Sequence, residues 1–181
     1  MTQLGGSKKD LSMLITYVSA DKYLKDSGML GFVITQSVFR SIPANEFRNF
    51  YINPKKRSIK VIKVHDMVDL KPFEDAQNRT AVMIIKEGEK TIYPIPYYEW
   101  KKKESISPNL SLDEVKKKVT IAELIAKPLI SKKDPWIIGT HKKIEKVTHA
   151  VGGSIYNARE GVNTSGANGI YWINIINELP T

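Results

Sequence analysis

The side chains that most often carry chemistry are few in this chain, and their spacing excludes several kinds of site. Cysteine is absent, which excludes a thiolate metal site and a cysteine nucleophile. His65, His141 and His149 are the three histidines, and none has metal-ligand spacing to a partner. No serine lies in a Gly-x-Ser-x-Gly motif, and neither a Gly-x-Gly-x-x-Gly loop nor a Walker lysine motif is present. The sequence therefore predicts neither a metal centre nor a hydrolase triad.

Positive charge is the first functional indication. The chain has 28 lysines and arginines against 19 acidic residues, a net charge of +9. A basic balance of this size favours polyanions, nucleic acid first and anionic membrane surfaces second. The alternative is that the lysines only form a solvated surface. Near the end of the chain, Gly161–Gly169 is rich in glycine, asparagine and threonine. Such a segment suits phosphate and base-edge contacts, or it forms a flexible hairpin turn.

The first elements of the chain indicate an α/β fold. A helix is predicted from an N-cap at Asp10 to a stop at Gly28, with a buried face at i, i+3, i+4 and i+7 spacing formed by Leu11, Leu14, Ile15 and Val18. Met29–Ile34 is apolar at both odd and even positions, which is typical of a strand covered on both faces in a parallel sheet. Helix, glycine and buried strand together predict a half-unit of a doubly wound fold.

The rest of the chain supplies the elements that must position a site. We predict strands at Lys60–Val64, Thr80–Ile85 and Ile170–Ile176, and an edge strand or linker at Thr91–Trp100. The predicted helices are a short one in Thr35–Phe50, a capped one at Ser111–Lys118, and a last one that ends at Ala150 and starts at Trp136 or Thr140. Val119–Leu129 suits a strand or a helix. Four aromatic residues are interpreted as packing rather than as a base-stacking platform: Tyr93, Tyr97, Tyr98 and Trp100.

Five blocks of sequence carry a family resemblance, in the same order along the chain. They are Gly5–Leu14, Ala20–Asp26, Gly31–Ser37, Val68–Val82 and Ala158–Trp172. Together they resemble the adenine-specific (N6) DNA methyltransferases of type IIG-like restriction-modification systems. The chain is similar to the part of those enzymes that follows the Asn-Pro-Pro-aromatic motif, together with the start of the target-recognition region.

The resemblance implies a fold and a domain division. Residues 1–100 would be the second half of a Rossmann-like α/β sheet of an S-adenosylmethionine-dependent methyltransferase. Residues 101–181 would be a connector and the start of the DNA target-recognition region, a small α+β segment. The complete enzyme would bind S-adenosylmethionine. Because no glycine-rich loop precedes the first helix and Asn53-Pro54-Lys55 lacks the second proline and the aromatic residue, we expect this chain alone to bind no cofactor and to transfer no methyl group.

The resemblance also implies roles for named residues. Phe73 would stack on a target base flipped out of the duplex; its alternative is a loop phenylalanine folded onto the core. DNA contacts would come from Lys71, Asn78, Arg79, Arg159, Asn163, Thr164 and Asn168. The alternative for Lys71, Asn78 and Arg79 is solvation of strand ends. No catalytic residue is assigned.

The implied partners are double-stranded DNA and the N-terminal catalytic or endonuclease portion of such an enzyme. Two alternatives remain: a stand-alone DNA-binding or specificity module without catalytic activity, and an inactive remnant. The longest apolar run, Met29–Ile34, is far shorter than the roughly 20 residues that cross a bilayer. The sequence therefore predicts no membrane partner and a soluble, cytoplasmic protein.

Overall fold

A mixed β-sheet with helices packed against it makes up the described part of the chain. The structure is a computed structural model, and it describes residues 11–52, 57–73, 79–107, 109–149 and 151. Leu11–Val151 lies within one compact unit. Within these ranges, every helix is too short or too polar to cross a membrane.

The described residues form three α-helices and seven strands. The α-helices are α1 (Leu11–Tyr23), α2 (Leu112–Lys117) and α3 (His141–His149), and the strands are β1 (Met29–Thr35), β2 (Tyr51–Ile52), β3 (Arg57–Asp66), β4 (Thr80–Glu87), β5 (Ile95–Lys102), β6 (Val119–Pro128) and β7 (Trp136–Gly139). Three short 3-10 helices, Gln36–Phe39, Ile42–Ala44 and Phe47–Asn49, lie between β1 and β2 where one short helix was predicted. The predicted strands at Lys60–Val64 and Thr80–Ile85 are confirmed.

The sheet has the order β1-β4-β3-β5-β6-β7, and β2 pairs with β3. All neighbouring strands are antiparallel except β3 and β5. β1, β3 and β5 therefore run in one direction, and β4 returns between β1 and β3. An α/β fold is confirmed at this level. The parallel neighbour predicted for β1 is wrong, since β1 pairs only with the antiparallel β4 within the described chain.

The covering predicted for β1 is also wrong. Leu30, Phe32 and Ile34 face the core, whereas Met29 and Val33 are 61% and 50% exposed. β1 is apolar at both odd and even positions, but the described elements cover only one of its faces. An apolar run shows that both faces can be buried, and it does not supply the element that buries them.

Helix α1 packs on the core through a different face from the predicted one. Met13, Thr16 and Ala20 are buried. The predicted stripe is exposed instead: Leu11, Leu14, Ile15 and Val18. Because apolar residues occur on both sides of α1, the 3.6-residue period could not decide which side faces the sheet.

The 3-10 segment between β1 and β2 fills the core beside the sheet. Phe39 stacks on Trp136 with ring centroids 4.7 Å apart. The fully buried guanidinium of Arg48 donates through Nε and Nη2 to the carbonyl of Lys133 and through Nη1 to the carbonyl of Val38. Burial lowers the pKa of Arg48. These bonds attach the segment to the turn between β6 and β7.

The second half of the sheet differs from its prediction at β5. β5 lies between β3 and β6, so it is neither an edge strand nor a linker. Pro96 is tolerated because β3 pairs only with Tyr97–Glu99 of β5. The boundary predicted between residues 100 and 101 falls inside this strand. Val119–Leu129 is mainly strand β6. The capping box of Ser111 and Glu114 is confirmed at α2, and of the two starts predicted for the last helix, the one near Thr140 is confirmed.

Candidate nucleic-acid interface

The candidate site lies at the edge of the sheet where β1, β3 and β5 end. In open α/β sheets, ligands bind outside the carboxyl ends of the codirectional strands. Two connections meet at this carboxyl edge: the loop after β3 and the segment after β5. We name residues 67–79, described for 67–73 and 79, the carboxyl-edge loop. It contains the central part of the Val68–Val82 block.

A buried polar cluster fixes the start of the carboxyl-edge loop. The Tyr97 hydroxyl donates to Asp66 Oδ2 over 2.5 Å, and Gln36 Nε2 lies 3.5 Å from the same hydroxyl. The other Asp66 oxygen, Oδ1, accepts from the Val68 amide at 3.0 Å. Burial raises the pKa of Tyr97, and the bond to Asp66 raises it further, so the phenol stays protonated and keeps donating. The cluster lies beside the carboxyl ends of β1 and β3, and Tyr97 is the third residue of β5.

The loop is then turned and attached to β5. The amides of Leu70 and Lys71 both donate to the carbonyl of Met67, at 3.0 and 3.2 Å. Lys71 has a φ of 46°, in the left-handed region, which non-glycine residues seldom adopt. Asp69 Oδ2 accepts from the Lys102 amide at 2.7 Å. Backbone and side-chain bonds therefore hold the chain as far as Lys71.

Phe73 lies on the surface, two residues after Lys71, the last residue that these bonds hold. Its side chain is 51% exposed and is not part of the hydrophobic core. The alternative in which Phe73 folds onto the core is therefore wrong. A half-exposed ring on an anchored loop is available to stack on another flat ring.

Two predicted DNA contacts, Lys71 and Arg79, precede and follow Phe73 in the connection from β3 to β4. Lys71 and Arg79 are both exposed, and neither has an ion-pair partner among the described residues. Arg79 lies directly before β4, and its carbonyl accepts from the Gln36 amide at 2.7 Å, which brings it next to the end of β1. The remaining predicted contacts lie outside the described residues: Asn78, Arg159, Asn163, Thr164 and Asn168.

A cavity opens between the carboxyl-edge loop and the segment after β5. It has a volume of about 210 Å³, and Leu70, Ile106 and Leu110 contribute apolar walls beside Lys71 and Lys102. The described residues that line it include no carboxylate of the kind that binds a ribose diol in dinucleotide sites. The volume is also below the 300 Å³ or so at which cofactor-sized pockets begin. These residues do not fit S-adenosylmethionine.

The aromatic residues of β5 are mainly packing residues, as predicted for Tyr97 and Trp100, which are buried. The Trp100 indole donates to His65 Nδ1 at 3.2 Å, and the His65 ring stacks on Tyr98 with centroids 5.1 Å apart. Burial, and then the charge of Lys63, lowers the pKa of His65, which suits its role as a neutral acceptor. The sequence missed the roles of Asp66 and Tyr97 in holding the loop, because the two are 31 positions apart.

In the part of the chain that the structure describes, no group of three or more His, Asp or Glu side chains could hold a metal ion. Comparison of the whole chain with protein-family models, and with curated proteins, finds no match.

Proposed function

We propose that this chain is the DNA-facing part of an adenine-N6 DNA methyltransferase of a restriction-modification system. In this proposal, it supplies the ring that stacks on the flipped adenine and the cations that contact the DNA backbone. The S-adenosylmethionine loop and the Asn-Pro-Pro-aromatic motif are absent from its sequence and belong to the cofactor-binding half of the enzyme. The chain alone is therefore expected to bind DNA without methylating it.

The observation that carries the proposal is the placement of Phe73. The ring is half exposed on a loop that leaves the carboxyl end of β3 and returns as the hairpin strand β4. The resemblance implies this arrangement, an aromatic residue in the loop before a late hairpin strand. Asp66 and Asp69 hold the first part of this loop, which lowers the cost of ordering the chain before Phe73 for stacking.

The sheet supports a Rossmann-like relationship as part of the same proposal. β1 and β3 run in the same direction and are joined through the 3-10 segment, and β4 lies between them in the opposite direction. Under the proposal, these are the last strands of a methyltransferase sheet, and the strands after β4 lead into the recognition region.

The test compares two duplexes that differ at one adenine, which is paired in one and mismatched in the other. A mismatched base is easier to extrude from the stack. We expect Phe73→Ala to weaken binding to the mismatched duplex by about tenfold, within the range for loss of one base–aromatic stack, and to change binding to the paired duplex much less. Phe73→Trp should retain the preference, and Ile92→Ala, an exposed apolar residue at the opposite edge, should leave both affinities unchanged.

The same measurement separates the proposal from the stand-alone DNA-binding module. A module that contacts only the backbone would lose equal affinity for both duplexes. Equal losses in Phe73→Ala would therefore rule out the stacking role. Methyl transfer by the chain alone would contradict the assignment of the cofactor half to another polypeptide.

A further inference from the structure

A small pocket lies beside the start of β3, at the opposite end of that strand from the carboxyl-edge loop. Its described walls come from the 3-10 segment, β3, the β4–β5 connection and the β6–β7 turn, and they include Arg48, Asn49, Ser58, Lys90, Tyr93 and Lys132. Its volume is about 120 Å³, which suits several water molecules or one small ion. We name it the Arg48 pocket.

The base of the Arg48 pocket is a buried cation. Arg48 is 0% exposed, and four of its five N–H groups donate to the backbone carbonyls of Val38, Ser41 and Lys133. Carbonyls are neutral, and no carboxylate of the described residues forms an ion pair with this guanidinium. A charge that is buried without a paired counter-charge is costly to a fold. An anion in the pocket would therefore gain from a cation that is already in place.

The acids next to Arg48 and to its partner Lys133 in the sequence are bonded elsewhere. Glu46 accepts from the Lys133 ammonium at 2.7 Å. Asp134 accepts from the Ser131 amide at 2.7 Å. Burial lowers the pKa of Arg48, and the charge of Asp134 offsets this only in part. Residues 53–56, which join β2 to β3 and lie outside the described residues, contain no acid. The charge of Arg48 is thus not neutralised by these neighbours.

Two lysines add positive charge at the mouth of the pocket. Lys90 and Lys132 are exposed, and neither has an ion-pair partner in the described ranges. Glu89, the acid next to Lys90, is bonded to Lys60 and Lys86 instead. The described lining residues include no acid. Three cations, each from a different element of the fold, therefore face one small pocket.

The other polar groups of the pocket are neutral donors. Burial raises the pKa of Tyr93 to about 12, so its hydroxyl keeps its proton and supplies no negative charge. The Ser58 hydroxyl and the Asn49 amide can each donate a hydrogen bond to an anion. The pocket therefore offers positive charge and hydrogen-bond donors together.

Charge and size favour a phosphate group as the ligand. A phosphate monoester carries a charge of about −1.5 to −2 at pH 7 and three strong acceptor oxygens, which suits cations that come from three elements. A carboxylate has one charge and two oxygens in one plane. The volume is well below the 300 Å³ or so at which cofactor-sized pockets begin, so a nucleoside stays outside. A DNA phosphodiester has one charge and a sugar on each side, which this pocket does not admit.

We propose that the Arg48 pocket binds the phosphate group of a small anion, either inorganic phosphate or a phosphate monoester. Lys90 and Lys132 contact the phosphate oxygens at the mouth. Arg48 stabilises the negative charge from the base, because charges interact more strongly where water is excluded. This inference goes beyond the proposed function and does not rest on it.

The test is calorimetric titration of the full chain with inorganic phosphate, in Tris chloride at fixed ionic strength. We expect one site per chain. Lys90→Ala/Lys132→Ala should weaken binding by about tenfold, through loss of two charge-assisted contacts. Lys142→Ala/Lys143→Ala, at exposed positions of α3, removes the same charge and should leave the affinity unchanged. No binding by the chain itself, or equal losses in the two double variants, would overturn the inference.

A second pair of variants tests whether the pocket lacks a negative charge. Asn49→Asp places a carboxylate on the pocket wall, so it should abolish phosphate binding and raise the urea midpoint of unfolding in phosphate-free buffer. Asn45→Asp adds the same charge at a residue that does not line the pocket, where an aspartate can still accept from the Glu46 amide, and it should do neither. Equal phosphate affinities in the two variants would contradict the proposed site.

Further titrations identify the source of the phosphate group and separate the pocket from the DNA interface. Tighter binding of glycerol 3-phosphate than of inorganic phosphate would assign the pocket to a monoester, and the reverse order would assign it to the free ion. Displacement of phosphate by an equal concentration of acetate would overturn the choice of phosphate. The dependence of duplex-DNA affinity on salt should be the same in Lys90→Ala/Lys132→Ala as in the chain itself. A weaker dependence would show that DNA occupies the pocket, against the inference.

Discussion

At the amino edge of the sheet, where β1, β3 and β5 begin, Arg57 contacts the buried carboxylate of Glu87 and lies 3.5 Å from Asp21 of α1. At the carboxyl edge, Arg79 has no carboxylate partner in the described chain. Two lysines of the amino edge are paired as well. Lys60 and Lys86 bond to Glu89 at 2.7 and 2.5 Å, and they lower the pKa of Glu89 to about 2. These positive charges are thus used within the fold.

The comparison separates two uses of positive charge. A cation that is paired with a buried carboxylate contributes to folding, and its removal leaves an uncompensated charge. A cation without a partner contributes little to folding and can release counterions on binding a phosphate. The net charge of +9 alone could not distinguish these uses, because the distinction depends on which carboxylates the fold brings near each cation.

The largest expected effect is on stability at the amino edge. Arg57→Met leaves Glu87, which is 1% exposed, without its cation. We expect this variant to lower the free energy of unfolding by about 3 kcal/mol. This value is the lower end of the range for a broken buried pair, because Arg57 is itself partly exposed. Arg79→Met should leave the free energy of unfolding unchanged and weaken DNA binding. Urea unfolding and DNA titration of both variants test this reciprocal pattern.

The double variant Arg57→Met/Glu87→Leu is the control for the buried charge. It should recover much of the stability, since replacing both partners of a buried pair with apolar side chains is often neutral. A double variant as unstable as Arg57→Met would show that the loss came from the packing of the arginine and not from the stranded carboxylate.

A smaller effect is expected from the anchor of the carboxyl-edge loop. Tyr97→Phe removes one donor from the buried Asp66 carboxylate, and we expect a loss of about 1–2 kcal/mol in unfolding free energy. The same variant should reduce the preference for a mismatched adenine, because the loop that carries Phe73 loses a fixed point. Tyr98→Phe, on the neighbouring position of β5, is the control and should change neither property. An unchanged mismatch preference in Tyr97→Phe would show that the anchor does not position Phe73.

Sequence patterns correctly predicted the elements that are determined by residues close together in the chain. The capping box of Ser111 and Glu114 closes within one helical turn, and the alternation of polar and apolar residues in β3 needs no partner to be recognised. Pro96 gave the wrong prediction for β5, because its effect depends on how far the ladder with β3 extends. For α1 and Met29–Ile34, residues on both sides are apolar, so only the neighbouring elements determine which side is covered.

The candidate site was predicted in part, for the same reason. Phe73 and its flanking cations come from one continuous block, so a resemblance could name them. The hydrogen bonds that fix the start of the loop come from Asp66, Tyr97 and Gln36, and Asp66 and Tyr97 meet through the parallel pairing of β3 with β5. A chain read without its sheet order gives no reason to place these three side chains together.

The most direct test of the account is the salt dependence of duplex-DNA binding. The variants are the chain itself, Lys71→Ala/Arg79→Ala at the carboxyl edge and Lys60→Ala/Lys86→Ala at the amino edge, and each double variant removes two positive charges. We predict that the slope of log affinity against log salt falls by about 1.8 in the first double variant, as expected for two lost phosphate contacts, and stays unchanged in the second. Equal slopes in the two double variants, or no binding by the chain itself at low salt, would contradict the account.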